Sequence, residues 1–271
     1  MIDLRRQAHS LFCESNPTQK VLGMAQLWAQ KEQWLIEPPW SPTLEELCKP
    51  IGRPPTPKLI SHRDIPKRKL STPLGLAGLV HSICHIEFNA INLALDAVWR
   101  FEGMPSLYYS DWIQVAYEES THFDLLSNLL NKMGHGYGDF DAHDGLWEMC
   151  EKTKHDITAR MALVPRTLEA RGLDASPLIQ QKLIGLNSPF AQEAHEILDI
   201  ILRDEITHVR VGNRWYLWLC ELQNTEPNAL YANLSLLHDA PRLKPPFNLE
   251  ARAQAGFTQE ELRLLLQSNP L

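Results

Sequence analysis

The stretch SPFAQEAHEILDIILRDEITHVRVGNRWYLWLCE, residues 188–221, sets Glu205 and His208 in the middle of an apolar helical face. Ser188 followed by Pro189 reads as a helix cap and first helical residue. The next proline is Pro227, so about 30 residues can run as one helix. Its apolar stripe is Leu198, Ile201, Leu202, Val209 and Gly212, and Glu205 and His208 fall on the same stripe. Three residues apart on a helix is about 60° and 4.5 Å, so both side chains point into the core. A buried carboxylate beside a buried imidazole is costly without a partner, and a metal cation supplies one.

The same pattern recurs upstream. After Pro73 the periodicity turns helical and runs to the stop signals Gly103 and Pro105, with Glu87 among Ile83, Cys84, Ala90, Ile91 and Ala94. A second core helix from about Leu107 has Trp112, Val115, Ala116, Phe123, Leu126 and Leu130 as its stripe, and Glu119 and His122 sit on it. A third is expected from about Gly145 to Arg171, kinked at Pro165, with Glu169 near its end. The segment from Gly172 to Pro177 reads as a break. Arg166, one turn from Glu169, is placed to pair with it.

The ordered set is therefore Glu87, Glu119-x-x-His122, Glu169 and Glu205-x-x-His208. The lone Glu precedes its ExxH by 32 residues in the first half and by 36 in the second. With 20 Glu and 11 His, roughly 0.8 ExxH matches are expected by chance, so one alone means little. Two, both in mid-stripe and each preceded by a Glu on another helix, describe a repeated helix pair. His81, His85, His155 and His195 read as ordinary surface or core histidines.

Outside this core the chain forms arms. Nine of its 19 prolines lie between Glu37 and Pro73, a segment without the apolar periodicity to bury a core of its own. Trp34, Trp40 and, from the other end, Phe247 are its expected anchors. Between Arg53 and Lys69, Arg53, Lys58, Arg63, Lys67, Arg68 and Lys69 stand against Asp64 alone, a basic stretch with no Phe, Tyr or Trp. The C-terminal part has a short helix at 230–237, a proline-rich bend and a last helix with a Thr258/Glu261 capping box. No stretch alternates like a strand, so the fold class is all-α. The expected division is 1–75 (helices and proline-rich arm), 76–223 (four-helix bundle) and 224–271 (C-terminal arm).

At 44% apolar and 22% charged residues, the 271-residue chain can bury a sizeable core. Its net charge of −7 argues against a generally nucleic-acid-binding surface. No apolar run reaches 18 residues and the N-terminus has no secretory pattern, so a cytoplasmic protein away from the membrane is expected. Five scattered cysteines, none in a CxxC, indicate neither a disulfide frame nor a zinc knuckle.

HIEFNAINLALDA (85–97), EESTHF (118–123), VPRTLEARGLD (164–174), RDEITHV (203–209) and PFNLEARAQAGF (246–257) resemble a family of bacterial ferritin-like proteins catalogued only as a domain of unknown function. The resemblance covers most of the chain and lies within the ferritin-like di-iron carboxylate superfamily. It implies a ferritin-like four-helix bundle whose metal ligands are Glu87, Glu119, His122, Glu169, Glu205 and His208. These would hold two iron ions, with manganese as the alternative. Glu169-Ala170-Arg171 is also similar to the third-ligand segment of di-iron hydroxylases that modify tRNA adenosines. There the helix continues past the motif, where Gly172 and Pro177 are expected to interrupt it here.

The function expected on this resemblance is an O2-activating oxidoreductase or oxygenase whose partners are O2 and a small-molecule substrate, with a homodimer compatible. A tRNA-modifying hydroxylase and a non-enzymatic iron- or peroxide-handling protein are the alternatives. Tyr117 and Tyr216 are near enough in sequence to serve such a centre, although wall residues are the plainer reading of both.

Overall fold

The computed structural model describes residues 1–36, 40–47 and 49–268. Pro38 and Pro39, in the proline-rich arm, and Cys48 lie outside the described residues. About 70% of the chain is helical and 2% is strand, so the protein is all-α. It divides into two compact units, Met1–Asp144 and the chain from Gly145 onward.

The first unit opens with β1 (Ile2–Asp3), α1 (Leu4–Phe12) and α2 (Pro17–Ala29). β1 pairs in parallel with β2 (Trp34–Leu35), and a one-turn helix α3 (Leu44–Leu47) follows. The centre of the unit is a hairpin of two long helices, α4 (Pro73–Arg100) and α5 (Ser106–Lys132). Thr72 caps α4 by accepting from the Gly75 amide, with Pro73 as first helical residue. Its exit is the short turn at Gly103, φ 77°. The hairpin is sealed by Phe88 against Phe123, ring centroids 5.4 Å apart. α1 packs on α4 through Phe12 and Trp99, and α2 packs on α5 where Trp28 stacks on Tyr117. α4 is long and apolar enough to span a bilayer by composition, and 67% of its most apolar window is buried in the protein.

The proline-rich segment lies on this hairpin. Lys58 and Ile60 pair with Ala142 through two backbone hydrogen bonds of 3.0 and 2.8 Å. The Arg53 guanidinium holds both oxygens of Asp144 at 2.6 and 2.7 Å and reaches Asn89 of α4 at 3.0 Å. Trp40 is anchored beside His9, ring centroids 5.3 Å apart.

The second unit contains α6 (Gly145–Lys152) and then a helical path that runs without a break from Ile157 to Ile184. This path is α7 (Ile157–Leu163), a π-helical turn (Val164–Glu169) and α8 (Ala170–Ile184). It packs against α9 (Pro189–Leu222), which is 34 residues long. The break expected at Gly172–Pro177 is therefore absent, while the helix expected to run unbroken from Gly145 is divided between Lys152 and Ile157. Asp156 caps α7 by accepting from the Thr158 and Ala159 amides. Pro177 cannot donate to the Leu173 carbonyl four residues back, but the Asn248 side chain donates to that oxygen instead, at 3.2 Å.

Asn248 belongs to the C-terminal segment, which carries α10 (Pro227–Leu237), α11 (Leu249–Gln254) and α12 (Gln259–Ser268). Ala251 and Ala255 pack into a core with Ala170, Leu173 and Val209. Arg252 and Asp174, each 1% exposed, form an ion pair beneath them, and Arg252 also lies over the Phe247 ring.

Candidate metal centre

Glu87 lies in mid-α4, and Glu119 and His122 lie in mid-α5, on the faces that close the hairpin. All three are buried, Glu119 completely. His122 Nδ1 is 3.3 Å from Glu87 Oε2 and 3.3 Å from Glu119 Oε2, so two carboxylates from two helices converge on one imidazole nitrogen. One ligand atom from each of the three falls within 4.8 Å of the others.

The electrostatics of this cluster fit a cation. Burial, and then the nearby Glu119 charge, push the Glu87 carboxyl up to about 8, so that near neutrality it holds a proton. Glu87 Oε2 makes no aligned hydrogen bond in this buried setting. A positive ion between the carboxylates reverses both penalties, because it stabilises the charged forms that burial disfavours.

The second unit supplies the same residue types. Glu205 and His208 lie one turn apart on α9, 7% and 0% exposed, with ligand atoms within 4.8 Å of each other. The Glu205 carboxyl carbon lies 4.0 Å from where a β-carbon of Gly172 would be, so it rests against the first turn of α8. Glu169, 6% exposed, closes the π-helical turn. Arg166 does not neutralise it. Its guanidinium donates to Asn213 at 2.7 Å and pairs with Glu261 of α12. All six residues singled out in the sequence are thus buried on core helices.

The family model described as protein of unknown function (DUF455) matches residues 13–263. The chain belongs to this family. A Haemophilus influenzae relative of this DUF455 protein, itself named only as uncharacterized, is 50% identical over 218 residues, which cover 77% of this chain and 74% of that one. No solved structure matches the chain.

Other polar residues that sequence places near the ligands make the following contacts. Tyr117 stacks on Trp28, and Tyr216 donates its hydroxyl to the Pro227 carbonyl at 2.6 Å. Asp124 accepts from Asn128 on an exposed surface, and Asp204 pairs with Arg203. His81 and His85 are buried, and burial lowers both to about 4. His85 bonds the Tyr137 hydroxyl at 2.9 Å, and His81 accepts from the Gly138 amide at 2.9 Å. Sequence reasoning missed Asn213 and Glu261 as the partners of Arg166. The hint was available in the capping box, because Glu261 both closes that box on the Thr258 amide and turns its other oxygen to Arg166.

Proposed function

We propose that this is a dinuclear metal-carboxylate protein of the ferritin-like kind, an oxidoreductase that uses O2 on a small-molecule substrate. Glu87, Glu119 and His122 hold one ion of iron, or manganese, and Glu169, Glu205 and His208 complete the set for a second. The observation that carries this reading is the convergence of Glu87, Glu119 and His122 in the core. Each half alone offers two carboxylates and one imidazole, which leaves an iron or manganese ion short of the five or six donors it prefers. The repeated order of the six residues supports reading them as one ligand set.

Four carboxylates against two imidazoles form a hard-oxygen set, which favours iron or manganese over zinc. When bound, such a pair of ions supplies one-electron redox chemistry and open positions for O2. The chain's own contribution is to fix the ligands on rigid helices and to keep water from them. Glu87, whose carboxyl is raised by burial and by the neighbouring Glu119 charge, would bind a cation in its ionised form.

Elemental analysis of the purified protein tests the reading, followed by O2 consumption after reduction. About two equivalents of iron or manganese and O2 uptake are expected. Zinc as the sole metal with no response to iron loading, or no metal at all, contradicts it.

A further inference from the structure

The π-helical turn at 164–169 is held by contacts that no repeating backbone pattern requires. Pro165 abuts Gly212 of α9, and Arg166, the next residue, sends a buried guanidinium in two directions. One nitrogen donates to Asn213, five residues beyond His208 on α9. The other pairs with Glu261, 95 residues away on α12. The rings of Tyr216, Tyr231 and Phe257 box the guanidinium at 5.0, 5.5 and 4.8 Å. Asn213 in turn donates to the Ala255 carbonyl at 2.8 Å, so α9 is also tied to the C-terminal segment.

A buried ion pair is a costly way to fill space, and apolar side chains of similar volume stabilise a core as well or better. Its value is directional. Here the three tethers, Pro165 to Gly212, Arg166 to Asn213 and Arg166 to Glu261, all lie about one turn from Glu169 or His208. We propose that Arg166 is a positioning residue for the second half of the metal centre: joining the π-helical turn to α9 and α12, it sets the direction of Glu169 and His208 and couples metal binding to the docking of α12. This rests on the reading of Glu169 and His208 as ligands.

Cobalt(II), whose visible bands report ligand geometry, is the probe, titrated into the full-length wild type, Glu261→Gln and Glu261→Asp. With the fold verified by circular dichroism, both variants should bind cobalt about tenfold more weakly, the scale of losses from residues that orient metal ligands, with altered bands. A purely structural role would lower the melting temperature and leave the bands of the folded variants unchanged, which overturns the inference. Coupling is reciprocal, so cobalt should also slow amide hydrogen exchange across Gln259–Ser268 in the wild type. Unchanged exchange there overturns the proposal even if neither variant folds. Wild type that binds neither cobalt nor iron is a separate result: it removes the metal reading, and this inference with it.

Discussion

A β-carbon on Gly212 would lie 2.4 Å from Pro165 Cβ, so α9 meets the π-helical turn at a contact that a glycine permits. Gly212 is one turn beyond His208 and Pro165 is four residues before Glu169, so this contact fixes how the two ligand-bearing elements pack. Gly212→Ala forces them apart or strains the turn. The expected cost is about 1–3 kcal/mol, as for overpacking elsewhere in a close-packed core, measured by urea unfolding. Unchanged stability would mean that the helices separate freely here.

His122 and His208 each supply the only imidazole of their half of the ligand set. His122→Ala and His208→Ala should each lower metal content by at least half, with the helical circular dichroism signal retained because both helices keep their apolar stripes. If the double variant still copurifies with two equivalents of metal, the assignment of the ligands is wrong.

The helices that bear Glu87, Glu119, His122, Glu205 and His208 could be read from the sequence because each ligand sits on a long apolar stripe, a local signal of period 3.6. The surroundings of Glu169 could not. Asn248, far along the chain, bonds the Leu173 carbonyl that Pro177 leaves without its helical donor, and the helix runs through. Local rules place a break at Gly172–Pro177 because they see the missing amide and not the distant donor. Arg166 is similar: Glu169 is its neighbour along the chain, but the tertiary fold brings up Glu261 and Asn213. The proline-rich arm was legible as a segment without its own core, while its anchor on Asp144 joins residues 91 positions apart.

Lys20 gives the protein a pH dependence in the alkaline range. Its amino nitrogen is fully buried, 3.3 and 3.1 Å from the Phe12 and Gly52 carbonyl oxygens and within hydrogen-bond reach of the Asn92 side chain. Burial lowers its pKa from 10.5 to about 7. Between those values the unfolded chain binds a proton that the folded protein does not, so stability rises with pH across this window and is lost as pH falls toward 7. The stability of wild type relative to Lys20→Met should therefore rise from pH 7.5 to 9.5 in chemical denaturation, whichever of the two is the more stable. A difference that stays constant would show that Lys20 is charged in the folded state.

Arg53 and Asp144 test whether the proline-rich arm is part of the folded body. The bidentate pair at 2.6 and 2.7 Å sits beside the backbone bonds of Lys58 and Ile60 to Ala142, so the peptide bond after Lys58 is held extended against its neighbour. Trypsin needs that bond released into its active site, and cleavage then tracks the population of the locally open form. Wild type should resist cutting after Lys58 until the unit melts, although the Lys58 side chain itself is exposed. Asp144→Ala removes both charge-assisted bonds from Asp144 to Arg53. Cleavage after Lys58 should then quicken at temperatures where the helical circular dichroism signal is unchanged. Equal rates in the two proteins would mean that the backbone pairing, and not the ion pair, holds the arm, and rapid cutting of both would mean that it is not docked.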